Sequence, residues 1–469
     1  MKKIMLGLLS VFCLSLVAGC NKNTSSSSSI KTSSSSSSSF DYSTLTDEEY
    51  FNNFDPVLRF SVASDIHIQV LKTPEEEKMA KMMQMAYAHA RNSESDHKTL
   101  DALLIAGDLM ENGEDNEFFK FTEIFYENID LDETYPFITL GNHEFEFRND
   151  GDPIEMFTSI LDCEEDEHTE INGYHFIRLC PSVESEGHAY SEEKQEWLLE
   201  ELNKAKEDTP DKPIFVLNHH AVLNTVYGTE NTTWGSNSLK DVLSQFPQVV
   251  NFTGHSHYSM CNPKSIHQKD FTGINVGPMA YFSLALNDYK KEGVYPIDRE
   301  GGFQTSWTRG TRAGEFAVCE VDARGAMKMF CYDVISEELL CTYTFRDLVN
   351  KENFKTNEQK EIESKVGEFK EGSELAIVDI TKNTCRVEIP VAESEDFIES
   401  YRVYIYDEKD VLIKKAYALS GEIFRPIPEQ VYANIEGLSS NTNYKLEVYA
   451  VNAYNKISET PLKIEISTL

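Results

Sequence analysis

Five strand-like runs in this chain each end in Asp, Asn or His, and this repetition constrains the fold more than any other feature. The motifs that follow the runs are Ser64-Asp65-Ile66-His67, Gly107-Asp108, Gly141-Asn142-His143-Glu144, Asn218-His219-His220 and Gly254-His255-Ser256-His257. Asp, Asn and His are poor strand formers and good metal ligands. Because ligand sites in α/β folds lie beyond the carboxyl ends of the strands, the motifs predict one site at one sheet edge.

The spacing within two of the motifs is that of an extended strand end. Asp65 and His67 are separated by one residue, and so are His255 and His257, so each pair is expected to point to one side. Six of the 12 His residues lie in the motifs. A single His after a strand is more often structural, but five ordered motifs favour a shared metal site.

Helix-like segments separate several of the strand-like runs. The spacing of apolar residues predicts helices over Thr73–Arg91, Glu114–Asn128 and Ser191–Lys206. Residues Phe145 to Glu170 have no clear periodicity, and we expect a loop there. Alternating strands and helices indicate an α/β fold, with sheet layers covered by helices.

The chain beyond Gly372 changes to short alternating strands with turn residues between them, which predicts an all-β sandwich over residues 372–469. The stretch Gly437 to Asn452 resembles a fibronectin type III domain, with Tyr444 as its corner tyrosine. Residues 346–371 are polar and suit a linker helix. No chemistry is evident in this region, so we expect a spacer or a binding module for a cell-surface partner.

The amino terminus has the pattern of a bacterial lipoprotein. Two Lys residues and an apolar run precede Leu16-Val17-Ala18-Gly19-Cys20, which resembles a lipobox, and the run is too short to span a bilayer. Residues 1–19 are expected to be a signal peptide, and residues 20–45 a lipidated Cys20 and a Ser-rich tether. The protein would then lie on the extracytoplasmic face of the cell membrane. Ordinary secretion with a chance Cys is the alternative.

The net charge indicates which partners the protein can bind, and the cysteines indicate whether disulfides hold the fold together. The net charge of −36 repels nucleic acid, so no binding to a nucleic-acid backbone is expected. Nine Cys are present, of which Cys13 and Cys20 belong to the leader. The others form no C-x-x-C pair, which argues against a disulfide framework and favours buried apolar roles.

In order, the motifs D-x-H, G-D, G-N-H-E, x-H-H and G-H-x-H resemble the calcineurin-like metallophosphoesterase superfamily. The resemblance covers about residues 55–345, and we place the domain at 46–345. It implies a layered β-sandwich core flanked by helices. It also implies a dimetal enzyme that hydrolyses the mono- or diester of a small phosphorylated substrate through a metal-bound hydroxide.

The resemblance assigns a role to each motif residue. The implied ligands are Asp65, His67 and His257 for the first metal, Asn142, His219 and His255 for the second, and Asp108 as a bridge. His143 would be the general acid. This donor set suits two divalent transition ions, Mn, Fe, Zn or Co, and two ions about 3.5–4 Å apart clamp a phosphoryl group.

Neighbouring residues narrow the subfamily. Glu111 is expected to orient the catalytic His143, with a solvent-exposed loop acid as the alternative, and Glu144 is expected to support its loop. His220 could contact substrate or pack. Purple acid phosphatases have Tyr where Glu111 stands, and Ser/Thr protein phosphatases have Arg where Asn112 stands. These departures favour the bacterial exported phosphodiesterase and phosphatase branch.

Two other functions fit the chain in part. A surface binding or adhesion protein could carry an inactive α/β domain, although every expected ligand is present. A metal-dependent hydrolase of carboxyl esters or amides would use the same ligands, but the motif order argues against it. Robust hydrolysis of an activated phosphodiester would decide between these classes.

Overall fold

The computed structural model describes residues 45–146, 148, 151–230, 232–283, 307–308 and 314–469. The expected signal peptide, lipidated Cys20 and nearly all of the tether lie outside the described residues. Asp47–Leu469 forms one compact unit. Within the described ranges, none of the helices combines the length and the apolar character that crossing a bilayer requires.

The first half of the core is a mixed six-stranded sheet. Its strands are β1 (Pro56–Ala63), β2 (Ala102–Ala106), β3 (Tyr135–Thr139), β12 (Glu315–Asp322), β13 (Met327–Asp333) and β14 (Glu338–Phe345). They lie in the order β14-β13-β12-β1-β2-β3. Strands β1 to β3 run parallel, and the hairpin strands β12 to β14 extend the sheet in antiparallel register.

A second six-stranded sheet faces the first. It contains β4 (Glu167–Ile171), β5 (Tyr174–Arg178), β6 (Ile214–Leu217), β7 (Val249–Thr253), β8 (Ile266–Gln268) and β9 (Thr272–Asn275). The order is β4-β5-β6-β7-β9-β8, with parallel central strands and antiparallel edges. A short pair, β10 (Phe282–Ser283) and β11 (Trp307–Thr308), is separate from it.

The described residues form eight α-helices, several of which pack on the outer faces of the two sheets. They are α1 (Asp47–Phe51), α2 (Pro74–Asn92), α3 (Asp115–Asn128), α4 (His143–Glu146), α5 (Pro153–Leu161), α6 (Glu192–Asp208), α7 (Lys240–Leu243) and α8 (Asn357–Glu363). Short 3-10 turns occupy Val183–Ser185, Pro263–Ser265 and Lys351–Asn353. The helices predicted from periodicity are confirmed to within about two residues at each end.

One sequence-based prediction of local structure was wrong, and one predicted helix is shorter than expected. The expected loop over Phe145–Glu170 contains α5 and β4. Helix α5 is short but well capped, since the Asp152 side chain accepts a hydrogen bond from Ile154 N and Pro153 occupies its first turn. The linker helix expected over 346–371 is reduced to α8 and one 3-10 turn, because the polar segment has no apolar face to bury.

The core between the two sheets is aromatic. Phe60 packs against Phe176 and Phe215, with ring centroids 5.4 Å and 5.0 Å apart. Burying each such ring contributes about 1.5–3 kcal/mol. On the outside, α2 and α3 pack on the first sheet and α6 packs on the second. The predicted layered β-sandwich flanked by helices is confirmed.

The C-terminal region is all-β, as expected. Its strands are β15 (Ala376–Ile380), β16 (Thr384–Pro390), β17 (Ile398–Tyr406), β18 (Leu412–Leu419), β19 (Gln430–Glu436), β20 (Asn443–Asn452) and β21 (Leu462–Ser467). Three strands form one sheet, in the order β15-β16-β19, and four form the other, in the order β18-β17-β20-β21. One apolar core joins residues from both sheets. Sequence analysis missed β15, whose largely exposed residues show no alternation.

Candidate metal centre

The five motifs lie directly after β1, β2, β3, β6 and β7. These strands belong to both core sheets, so their carboxyl ends bring the motif loops to one edge of the sandwich. All predicted metal ligands are buried there: Asp65, His67, Asp108, Asn142, His219, His255 and His257. The expected single site at one sheet edge is therefore what the fold produces.

A first cluster of ligand atoms is formed by Asp65, His67, Asp108 and His257. His67 Nε2 lies 3.4 Å from His257 Nε2, and His257 Nε2 lies 3.2 Å from Asp65 Oδ1. Asp108 Oδ2 lies 3.7 Å from His67 Nε2. The atoms of this cluster lie within 4.8 Å of one another, close enough to surround one ion.

A second cluster shares Asp108 with the first and adds His219 and His255. His219 Nε2 lies 3.2 Å from the same Asp108 Oδ2. The other oxygen, Asp108 Oδ1, accepts a hydrogen bond of 3.0 Å from the backbone of His143. One carboxylate oxygen thus faces both clusters while its partner is fixed by the protein.

Buried polar atoms in these clusters have no hydrogen-bond partner. Within the described part of the chain Asn142 Oδ1 has none, and Asp108 Oδ2 and His219 Nε2 lie 3.2 Å apart without forming a hydrogen bond of regular geometry. An unmade buried hydrogen bond costs about 1–3 kcal/mol, so such atoms in a native protein call for an occupant. All three are acceptors or can present a lone pair, which is what a cation requires.

Carbonyl oxygens orient three of the imidazoles by accepting a hydrogen bond from one nitrogen of each. His219 Nδ1 donates to Ala106 O at 2.6 Å, and His257 Nδ1 donates to Tyr281 O at 2.7 Å. His255 Nε2 donates to Thr233 O at 3.0 Å. Such contacts orient ligating His in metal sites. The residues present therefore fit two metal ions.

The carboxylates are charged at neutral pH. Burial raises the pKa of Asp65, but the charge and hydrogen bond of His257 lower it more, to about 2. Burial opposes ionisation of Asp108 as well, and the charges of His219 and His143 hold its pKa well below the usual value. Burial and the charge of His219 lower the pKa of His255 to about 3, so this imidazole is neutral.

The backbone at the site is strained. Asp65, His67, Asp108, His255 and His257 have positive φ, between 51° and 67°. This conformation is uncommon for residues other than Gly and costs about 1–3 kcal/mol each. It corrects the extended alternation predicted for the two pairs. Asp65 and His67 meet in the first cluster because the backbone turns there, whereas His255 and His257 lie in different clusters.

Gly141 and Gly254 stand where neighbouring atoms lie too close to the backbone for any side chain to fit. A Cβ on Gly141 would lie 2.2 Å from Asp108 Oδ1, and one on Gly254 would lie 1.7 Å from Ser64 Oγ. Side-chain atoms essentially never come this close. The motif glycines let neighbouring loops pack against the carboxylates.

Glu111 contacts two histidines of the site through different atoms. Its backbone carbonyl accepts the hydrogen bond of 2.7 Å from His143 Nδ1, whereas its carboxylate Oε2 lies 3.3 Å from His67 Nδ1. The main chain thus orients His143, and the side chain orients a metal ligand. The orientation of His143 by the Glu111 side chain stays a prediction, and the contact with His67 is one that the sequence did not indicate.

His143 stands at the rim of both clusters. Its Nε2 lies 4.0 Å from Asp108 Oδ2, and its ring is 4.5 Å from that of His67. Burial lowers the pKa of His143, but the negative charge of Asp108 and the Glu111 carbonyl outweigh it and raise the pKa above the usual value. Glu144 supports the loop as expected, by accepting backbone hydrogen bonds from Met110 and Gly141.

Residues 58–259 match the family model described as calcineurin-like phosphoesterase. This segment is therefore similar to calcineurin-like phosphoesterases. The match spans less than half of the chain. The comparison with curated proteins found no match.

Solved structures similar to the chain have low sequence identity. A purple acid phosphatase from yellow lupin (Lupinus luteus) has 12% identity and a TM-score of 0.41 over 61% of this chain. The chain covers 53% of the lupin enzyme, about half of its length. A computationally redesigned β-sandwich protein (19% identity, TM-score 0.15) and a structure titled "Myokine structure" (10%, 0.16) each match over 20% of this chain. They are covered over 84% and 90% of their lengths.

Further residues near the two clusters had no definite role assigned to them from the sequence. His188, His220 and His255 form a third group of nitrogens within 4.8 Å. Neither ring nitrogen of His220 has a hydrogen bond among the described residues. Trp234 lies 5.3 Å from the His255 ring, and Tyr281 lies 4.3 Å from the His257 ring. The doublet His219-His220 hinted at His220, but no local pattern marks the two aromatic residues.

Proposed function

We propose that the protein is an exported, membrane-anchored dimetal phosphoesterase that hydrolyses phosphate mono- or diesters. The observation that carries the proposal is Asp108 Oδ2, a buried acceptor that faces both ligand clusters. We assign the first ion to Asp65, His67 and His257, the second to Asn142, His219 and His255, and the bridge to Asp108. Two ions of Mn, Fe, Zn or Co would lower the pKa of a bound water and neutralise phosphate charge.

The chain's own residues supply orientation and a proton. The Glu111 carbonyl fixes Nδ1 of His143 as a donor, so Nε2 is the atom that faces the clusters and can give its proton to a leaving oxygen. The Glu111 carboxylate orients His67. Glu146 accepts a hydrogen bond of 3.1 Å from Asn142 Nδ2, which leaves the buried amide oxygen of Asn142 available to a metal.

The proposed substrate is a small phosphorylated molecule. A panel of substrates would identify its chemical class. The full chain is loaded with Mn and assayed on nucleotides, cyclic nucleotides, glycerophosphodiesters and phosphosugars. Asp108→Ala serves as the inactive reference and Asp162→Asn, on the exposed end of α5, as the matched control. Hydrolysis by the wild type and by Asp162→Asn, but not by Asp108→Ala, supports the proposal. Metal-loaded wild type that cleaves no phosphoester contradicts it.

A surface binding or adhesion role is the second candidate, and the C-terminal sandwich favours it. The three-plus-four strand order supports a fibronectin type III-like domain. So does the hydrogen bond of 2.8 Å that the Tyr444 hydroxyl accepts from Ser439 N, as expected of a corner tyrosine. Such a module suits a cell-surface partner. Because all ligands are retained, we propose this role in addition to catalysis and not in its place.

Membrane anchoring through lipid on Cys20 is proposed from the lipobox and the Ser-rich tether. Several acyl chains bind a membrane stably, whereas one chain binds marginally. Cys20→Ala should therefore move the protein from the membrane fraction to the soluble fraction, as measured by immunoblotting. Cys13→Ala is the control within the leader. Unchanged membrane association of Cys20→Ala would refute the anchor.

A further inference from the structure

Two cysteines outside the metal centre lie unusually close together. Cys261 Sγ and Cys341 Sγ are 2.8 Å apart, although 80 residues separate them in sequence. Unbonded heavy atoms pack at about 3.5–4.0 Å, and a disulfide brings two sulfurs to about 2.0 Å. Two separate thiols do not approach this closely without strain, so the geometry favours a bond between them.

Cys261 belongs to the loop that leaves the metal centre, four positions after His257. Cys341 lies on the edge strand β14. Hydrogen bonds already hold the segments that carry the two cysteines. The Tyr343 hydroxyl donates to the carbonyl of Met260, the residue before Cys261, at 2.9 Å, and Met260 N donates to Glu315 Oε2 at 2.8 Å. A bond between the sulfurs therefore needs only a small movement of the side chains.

Cys261 and Cys341 differ in their exposure to solvent. Cys261 is buried, whereas Cys341 is half-buried, and both line a groove of about 490 Å³. Burial and the contact with Cys341 raise the pKa of Cys261 well above that of a free thiol. The contact with Cys261 lowers the pKa of Cys341, but the contact with Cys331 and burial outweigh it and raise the pKa of Cys341 well above the usual value too. Solvent exposure, and not acidity, distinguishes the two sulfurs. Cys341 is therefore the sulfur that a small oxidant reaches first. Its other neighbour is Cys331, the residue opposite it in the β13–β14 ladder.

We propose that Cys261 and Cys341 form a disulfide when the chain folds in the presence of a disulfide oxidant. Cys341 Sγ attacks one sulfur of the oxidant, forms a mixed disulfide and releases one thiol. Cys261 Sγ then attacks Cys341 Sγ and releases the second thiol. The two cysteines lose two electrons and two protons, and the oxidant gains them as it becomes two thiols.

The bond would join the loop after His257 to β14 and close a long loop of the chain. Closing a long loop restricts the unfolded state, so the oxidised protein should be the more stable form. Sequence analysis expected these cysteines to be buried apolar residues, because the pair is created by tertiary structure and leaves no spacing pattern. The proposal does not depend on phosphoesterase activity.

The test uses the full chain treated with oxidised glutathione, then alkylated and digested without reductant. Mass spectrometry should find one peptide pair joined through Cys261 and Cys341, and the denatured protein should have two fewer titratable thiols than the reduced one. Dithiothreitol should lower the thermal midpoint of wild type by several degrees but leave that of Cys341→Ser unchanged.

Cys331→Ser and Cys163→Ser are the controls, and both should retain the joined peptide. Free Cys261 and Cys341 after oxidation would overturn the proposal, and so would a bond from Cys341 to Cys331. Peptide mapping of wild type needs no variant, so the proposal stays testable if Cys341→Ser fails to fold.

Discussion

The Nε2 atoms of His67 and His257 lie 3.4 Å apart, although 190 residues separate the two side chains in sequence. The Tyr281 carbonyl accepts a hydrogen bond from Nδ1 of His257, and the Glu111 carboxylate lies beside Nδ1 of His67. Each ring thus turns its Nε2 to the other across the first cluster. Two imidazole lone pairs that face each other repel, and a shared cation removes that repulsion.

Single-ligand variants should separate the two metal sites. His257→Ala removes a ligand of the first cluster only, and His219→Ala removes one of the second. Each variant loaded with Mn should lose about one of two ions per chain and most of its activity. Metal analysis of folded protein measures this. If either variant lost both ions or neither, the division into two sites would be wrong.

His143→Gln should reveal the proton donor through the leaving group. General acid catalysis is worth about 10²–10⁴-fold, and it matters most for poor leaving groups. The variant should keep both metals, lose little activity on a nitrophenyl ester and lose far more on an alkyl ester. The measured quantity is the ratio of the two rates at equal metal content. An unchanged ratio would remove His143 from the acid role.

Gly254→Ala should test the close packing behind Asp65. The new Cβ would lie 1.7 Å from Ser64 Oγ and 2.7 Å from Asp65 Oδ2, so the carboxylate must move. Overpacking of this kind costs about 1–3 kcal/mol. Gly273→Ala is the control, because its Cβ meets its nearest atom at an ordinary 3.5 Å. Denaturant unfolding and metal affinity should change in the first variant only.

The motifs predicted the site well because each one follows a strand that apolar residues mark clearly. The two glycines and the supporting role of Glu144 were also readable, since they lie inside the motifs. The positive φ of Asp65 and His67 could not be predicted from the sequence, because contacts from other loops maintain this strained backbone. The side-chain position of Glu111 depends on that same turn. Helix α5 was missed because nine residues carry too little periodicity.

The α/β domain and the C-terminal sandwich contact each other through Tyr227 and Glu399. The Tyr227 hydroxyl donates to Glu399 Oε1 at 2.5 Å, and both residues are buried. The loop that carries Tyr227 also provides Thr233 and Trp234, which contact His255. The sandwich therefore helps to hold one wall of the site.

Tyr227→Phe should weaken that wall. Glu399 loses a buried donor, which costs about 1–3 kcal/mol, and KM should rise more than kcat falls, because the loop loosens while the metals stay. Tyr432→Phe is the control, since its hydroxyl bonds Glu388 on a more exposed face of the sandwich. Steady-state kinetics and thermal unfolding of both variants provide the comparison. Equal behaviour of the two variants would contradict a link between the domains.

The most direct test of the dimetal account is metal content and turnover in Asp108→Asn. The change keeps the shape of the side chain and removes the charge that faces both clusters. Wild type and Asp162→Asn loaded with Mn should bind about two ions per chain and hydrolyse bis(4-nitrophenyl) phosphate. Folded Asp108→Asn should retain at most about one ion and lose nearly all activity. A folded Asp108→Asn variant with two tightly bound ions and ordinary turnover would contradict the account.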